Sequence, residues 1–200
     1  MKDLAVNVAG LVLAAGQSRR MGRPKMTMAW GKTTVIELVT QTLLQGGANP
    51  VVAVTGGARR EVEEALRELP VSTIYNPEYE TGEMISSVRV GLQAFDEHTA
   101  AVLIAMGDQP QIQAETIGAL IRVYRDSRAP LIVPSYQMRR GHPWLVSREL
   151  WQEIKDLHPP QTLRDFVERQ AANIQYLVVD TASVLQDIDT PEQYEQYRPE

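Results

Sequence analysis

Between residues 19 and 25 the chain places four cations, Arg19, Arg20, Arg23 and Lys25, beside Gly16 and Gly22. Small residues let a backbone pass close to a ligand with its N–H groups turned inward, and fixed positive charge completes a site for a polyphosphate. A solvated surface loop is the alternative reading of such a basic run. Two acidic segments offer the complement: Asp108 in Gly107-Asp108-Gln109-Pro110, and Asp187 and Asp189 in Asp187-Ile188-Asp189-Thr190-Pro191. A divalent ion bridging phosphates takes one or two protein carboxylates and keeps several waters, so Asp108 plus one of the late pair suffices. Helix capping ahead of Thr190-Pro191 is the competing account of that pair. Gly31-Lys32-Thr33 imitates the end of a Walker A loop, but Met26 stands where that motif needs its first glycine, so Gly31 reads as a turn.

These residues sit between elements of alternating type. Gly10 to Ala15, Val51 to Thr55, Val71 to Tyr75 and Ala101 to Met106 are apolar runs that read as strands. Leu131 to Val133 reads as a fifth strand, cut by Pro134. Between them, Val35 to Leu43 (ended by Gly46-Gly47), Glu61 to Leu69, Ile85 to Phe95 and the stripe Ile117, Leu120, Ile121, Tyr124 have helical spacing. Strand–helix alternation with continuously apolar strands predicts a mainly parallel sheet covered on both faces. Such sheets bind ligands at the carboxyl ends of their strands. The basic loop and Asp108 both follow such ends. Beyond Val133 the pattern weakens: Ser135 to Pro143 reads as a loop or hairpin, Trp151 to Leu157 and Leu163 to Val167 as short helices, and Ile174 to Val179 as a late strand. Pro191 to Tyr197 is a terminal helix with Thr190 as its cap.

Two hundred residues suit one domain, or one with a small extension. The formal net charge of -5 argues against a nucleic-acid partner. With no cysteine there is no thiol nucleophile, Cys-bound zinc or disulfide. No apolar run reaches the roughly 18 residues of a membrane helix. Met1 to Gly16 has the look of an export leader, but Asp3, Asn7 and Gly10 interrupt it and Arg19-Arg20 follow. The expectation is a cytoplasmic chain without a membrane partner.

Five segments in order carry a family resemblance: LAAGQSRRMGRPK (Leu13 to Lys25), NPEYETGEMISSVRVGL (Asn76 to Leu92), MGDQP (Met106 to Pro110), RRGHPWLVS (Arg139 to Ser147) and DIDTP (Asp187 to Pro191). Together they resemble the MobA/MocA-like nucleotidyltransferases, and LAAG, GDQP and GHP are most similar to the molybdenum cofactor cytidylyltransferase (MocA) branch. The resemblance implies a single Rossmann-like domain over residues 1–200, a three-layer α/β/α sandwich of the nucleotide-diphospho-sugar transferase type. It implies Mg²⁺ as cofactor, and CTP or another NTP with a phosphorylated pterin cofactor as substrates; a molybdoenzyme or its chaperone is a further implied partner.

Carried over by resemblance, Leu13, Ala14, Ala15, Gly16, Ser18, Arg20, Lys25 and Asp108 hold the nucleotide, with Gly82 and Ser87 toward base and ribose. Asp108 and Asp189 bind metal, Asp187 being the second choice. Lys25, Arg20 and Asp108 are catalytic. Gly141, His142 and Pro143 border the acceptor, whose elements fall mostly within 135–175. Pro160 to Arg169 (PQTLRDFVER) departs from the family's glycine-rich stretch there. The implied reaction is in-line attack of an acceptor phosphate oxygen on the α-phosphorus of the NTP, releasing pyrophosphate. A phosphate is already anionic near pH 7, since its second pKa is about 6, so no general base is assigned. The alternatives are a MobA-type guanylyltransferase, an NTP:sugar-phosphate nucleotidyltransferase, and a non-catalytic nucleotide-binding accessory protein.

Overall fold

The structure, a computed structural model, describes residues 6–199; Lys2 and Asp3 of the leader-like start lie outside them. The chain runs β1 (Asn7–Ala14), β2 (Ala29–Trp30), β3 (Thr33–Thr34), α1 (Val35–Gln45), β4 (Val51–Thr55), α2 (Arg59–Leu66), β5 (Ser72–Tyr75), α3 (Glu83–Leu92), β6 (Thr99–Met106) and α4 (Ala114–Ser127). It continues through β7 (Leu131–Tyr136), β8 (Arg139–Arg140), β9 (Trp144–Ser147), α5 (Trp151–Lys155), α6 (Leu163–Arg169), β10 (Ile174–Val178) and α7 (Pro191–Tyr197). The main sheet has the order β10-β7-β9-β6-β1-β4-β5, with β8 on β7. Strands β5, β4, β1 and β6 pair in parallel, as do β7 and β10; β9 is antiparallel to both its neighbours.

The interior strand β1, between β6 and β4, explains the two coats of helices. Its alternate residues enter opposite cores: Val8, Val12 and Ala14 on one face, Ala9, Leu11 and Leu13 on the other. The first face is covered from α1, α2 and α4 by Ile36, Val39, Leu43, Val62, Ile117 and Leu120. The second is covered from α3, α5 and α6 by Ile85, Val88, Leu92, Trp151, Ile154 and Phe166. The result is the three-layer α/β/α arrangement with a mainly parallel sheet.

Two expectations are corrected. Pro134 does not end β7, which runs on to Tyr136. A proline lacks the N–H that a ladder needs. Here β9 pairs with Leu131 and Ile132, β8 takes over at Ser135, and Pro134 lies at the changeover, accepting at its carbonyl from Gly141 N–H at 2.8 Å. The second is β9 itself, which the apolar rhythm does not announce. Four residues behind a proline are too few for periodicity to decide type or direction.

A third cluster lies outside the sheet. Met21, Met28, Trp30 and Val35 pack on Ile188 and Tyr194, and the Tyr194 hydroxyl donates to the Ala29 carbonyl at 2.5 Å. It holds the end of the chain against the loop that follows β1. Gly31, at φ +61, turns the two-residue hairpin between β2 and β3, so Gly31-Lys32-Thr33 is a turn and not a phosphate loop.

Candidate active site

The loop after β1 folds so that its four cations part company. Ser18, in the left-handed region at φ 52, starts a short 3-10 turn, and its hydroxyl accepts from the Lys25 N–H at 3.0 Å. Met21 and Met26 are buried and anchor the loop. Lys25 turns inward and is only 9% exposed. Arg20 stays at the rim, while Arg23 lies over the Tyr194 ring at 5.6 Å and Arg19 bonds Gln17 at 2.6 Å.

Lys25 Nζ donates to Asp108 Oδ2 at 2.5 Å and to Asp189 Oδ1 at 2.9 Å, and Arg20 Nη2 donates to Asp189 Oδ2 at 2.7 Å. Asp108 leaves β6 at its carboxyl end, where Gly107 N–H donates to the Leu13 carbonyl at 3.0 Å and ties the two loops together. The late segment is fixed by Ile188, whose N–H donates to the Asp108 carbonyl at 3.0 Å while its side chain is buried. Fully burying an isoleucine contributes roughly 1.5–3 kcal/mol, so this residue anchors both flanking aspartates. Capping does not employ them. Thr190 accepts from Gln193 N–H, and the Gln193 side chain returns to the N–H groups of Asp189 and Thr190. The carboxylates of Asp187 and Asp189 are left facing a cavity.

That cavity, about 400 Å³, is lined by Leu13, Ala15, Gly16, Arg20, Lys25, Ser87, Asp108, Asp187 and Asp189, together with Met26, Tyr79, Glu83, Met84 and Met106. Among the described residues nothing lies within 4 Å of the place a Cβ would take on Gly16, so the backbone there borders open space. Burial works to lower the Lys25 pKa, but contact with Asp108 and Asp189 outweighs it and the ammonium is held above its ordinary value. Burial works to raise Asp189, but Lys25 and Arg20 outweigh it and its pKa lies below the ordinary value. Asp187 is pushed up by burial first, then by the charges of Asp189 and Asp108. Among the described residues no group of three or more His, Cys, Asp or Glu side chains converges as a ready metal cluster. Asp108 Oδ1 is buried and has no hydrogen-bond partner among the described residues.

A second and larger cavity, about 1140 Å³, adjoins the first and shares Glu83 and Met84 with it. His142, Trp144, Arg139, Arg140 and Tyr176 line one part, and Thr162, Leu163, Arg164 and Val167 another. The unusual Pro160 to Arg169 stretch thus supplies α6 to the cavity wall. His142 stacks on Trp144 with ring centroids 4.5 Å apart, and burial lowers its pKa to about 4.

Some residues singled out in the sequence stand elsewhere. Ala14 points into the opposite core, because it alternates with Leu13 and Ala15. Ser18 locks the loop and lines a separate depression with Arg19 and Arg23. Gly82 is a packing position: a Cβ there would stand 2.5 Å from Ser86 Cβ and 2.9 Å from the Glu78 carbonyl. Gly141 and Pro143 are buried beside His142 and do not line the large cavity. Tyr79, Glu83 and Met84, unassigned in the sequence, fall inside the Asn76 to Leu92 motif, which was the available signal.

A basic loop after the first strand, carboxylates gathered from two distant loops, and a doubly covered, mainly parallel sheet define a nucleotidyltransferase fold. The chain belongs to the MobA-like NTP transferase domain family, whose model matches residues 10–174. Rv0371c from Mycobacterium tuberculosis has the same fold, with a TM-score of 0.84 and 28% identity over 96% of this chain and 97% of that one. A manganese complex of Rv0371c aligns with a TM-score of 0.81 and 26% identity over 96% and 97%. Among curated proteins, nicotine blue oxidoreductase of Paenarthrobacter nicotinovorans is 29% identical, covering 93% of this chain and 94% of its own. Molybdenum cofactor cytidylyltransferase of Escherichia coli is 26% identical, covering 92% of each.

Proposed function

We propose that the chain, working as one unit over residues 1–200, transfers CMP from CTP to the phosphate of the molybdenum pterin cofactor and releases pyrophosphate. The observation that carries the transfer chemistry is Lys25, held between Asp108 and Asp189 at one wall of a cavity that opens into a second, larger one. The small cavity suits the nucleotide, and the larger, with its aromatic and arginine lining, suits a phosphorylated aromatic acceptor. The cytidylyltransferase relative supports the choice of base and acceptor. The relative named as an oxidoreductase carries a different reaction in its name, so the reading rests on the residues of the site and not on the frame.

The residues present fit a divalent cation. Asp108 has a buried oxygen without a partner among the described residues, Asp189 and Asp187 share its cavity, and Mg²⁺ needs only one or two carboxylates. Asp108 and Asp189 would hold it, and when bound it would neutralise charge on the triphosphate. The chain's own residues do the rest. Lys25 and Arg20 set positive charge beside the α-phosphate and the leaving pyrophosphate, and the open backbone at Gly16 admits the phosphates closely. Attack by the acceptor phosphate breaks the bond between the α-phosphorus and its bridging oxygen, and positioning supplies the acceleration. Neutral His142 and its Trp144 stack contribute to the acceptor wall.

The test is incubation with Mg²⁺, the pterin cofactor and equal CTP, GTP and ATP, with products resolved by mass. A CMP-linked dinucleotide is expected. A GMP product would assign the MobA-type reaction; product with a sugar phosphate alone would replace the acceptor; no pyrophosphate with any pair would leave a non-catalytic nucleotide-binding protein.

A further inference from the structure

We infer that Asn76 is a positioning residue that forces Ser87 to meet the nucleotide as a hydrogen-bond donor. Asn76 follows β5 and is fully buried, and its N–H donates to the Thr55 carbonyl at 2.9 Å. Its side-chain oxygen accepts from Glu78 N–H at 2.9 Å, which fixes the orientation of the amide. Its Nδ2 hydrogens are then both spent: one on Ser86 Oγ at 2.8 Å and one on Ser87 Oγ at 3.0 Å.

The two serines are left in different states. Ser86 accepts from Asn76 and donates to the Glu83 carbonyl at 2.9 Å, so its one hydrogen is used inside the protein. Ser87 also accepts from Asn76, but among the described residues no protein group takes its hydrogen. Ser87 lines the small cavity and is 5% exposed. A hydroxyl has one hydrogen, and a neighbour that can only donate directs it away. The free O–H of Ser87 is therefore offered to the cavity, where the carbonyl or ring-nitrogen acceptor of a nucleobase takes it. Asn76 touches no ligand and acts through Ser87.

The inference rests on the nucleotide reading of this cavity, and a double-mutant cycle separates the two. CTP binding with Mg²⁺ is measured by calorimetry, and thermal stability beside it, for the whole chain, Asn76→Ala, Ser87→Ala and the pair. Ser87→Ala is expected to weaken CTP about threefold to tenfold, the loss of one hydrogen bond, with KM rising more than kcat falls. Asn76→Ala is expected to weaken CTP by a similar factor, and the pair no more than Ser87→Ala alone, while the stability loss of the pair exceeds that of Ser87→Ala because Asn76 also loses its bonds to Ser86 and Glu78. An Asn76→Ala penalty on binding that persists in full without the Ser87 hydroxyl overturns the inference, as does unchanged binding with lowered stability. Should Asn76→Ala fail to fold, Ser87→Ala still decides: unchanged CTP affinity overturns the donor role. If the intact chain binds GTP in place of CTP, the cytidine reading falls, while the same coupling measured with GTP upholds the inference. Absence of binding to any NTP overturns both.

Discussion

Lys25 and Asp108 are 83 positions apart in the chain, yet their side chains meet at 2.5 Å with little exposure of either. The pair depends on two loops that leave parallel neighbours β1 and β6 at the same edge of the sheet. On the proposed reading, Asp108→Asn is expected to lower pyrophosphate release at saturating Mg²⁺ by at least about a hundredfold, since an amide in place of the carboxylate would hold the cation poorly and its neutralising charge would be lost. The fold should survive, because Lys25 keeps Asp189 as a partner; the usual penalty of about 3–5 kcal/mol for a stranded buried charge is then an upper bound. Steady-state turnover beside a denaturation curve checks both parts, and undiminished turnover removes Asp108 from the site.

Lys25 and Arg20 both contact Asp189, and their exposure separates their predicted effects. Lys25→Ala should cost about a hundredfold or more in turnover and lower stability, because it strands the buried Asp108 while Asp189 keeps Arg20. The side chain of Arg20 is 70% exposed, so Arg20→Ala should change stability by less than about 1 kcal/mol. It should still weaken NTP binding and flatten the salt dependence of that binding. Equal stability losses for the two variants would contradict this division.

Asp187 shares a partly buried space with two other carboxylates, and among the described residues no cation forms an ion pair with it, Lys25 acting on it only from a distance. Asp187→Asn is expected to stabilise the metal-free chain at pH 7, measured by thermal denaturation in a chelator. A loss of stability would show that the carboxylate has a structural partner. Weakened divalent-ion binding in the same variant, against strong weakening in Asp189→Asn, would rank the two as ligands.

His142 has its pKa lowered from 6.5 to about 4 by burial. The unfolded chain therefore takes up a proton near pH 6.5 that the folded chain refuses until about pH 4. Stability should fall as pH drops through that window, by at most about 1.4 kcal/mol per unit. His142→Phe, which retains a ring against Trp144, should remove this part of the slope. Denaturant titrations from pH 7 to pH 4 test it; identical slopes would mean the imidazole is solvated.

Gly141 has Val184 against it, with the carbonyl 2.5 Å and the Cβ 2.7 Å from where a methyl group would stand. Gly141→Ala is expected to destabilise by about 1–3 kcal/mol through overpacking. Acceptor KM should change less than with His142→Ala. The reverse order, a raised KM with unchanged stability, would return Gly141 to the acceptor wall.

The sequence by itself determined the layered α/β plan, because uninterrupted apolar strands need cover on both faces and the helical stripes between them provide it. It also placed the basic loop and Asp108 at strand ends, and it named Thr190 as a cap. Two kinds of fact were left to the tertiary structure. One was direction and partner: β9, four residues long, enters the sheet antiparallel, and Pro134 survives in β7 only because its partner strand changes there. The other was side-chain fate. Four cations in seven residues are alike in sequence, yet Lys25 is drawn inward by carboxylates 83 and 164 residues away while Arg19 and Arg23 stay outside. Asp187 and Asp189 are free to line the cavity because Ile188 is buried among Met21, Met28 and Tyr194 while Thr190 takes the cap. Periodicity and spacing report local geometry and which face is buried; the long-range ion pairs, and the hydroxyl of Ser87 set by Asn76, exist only once distant segments share one cavity.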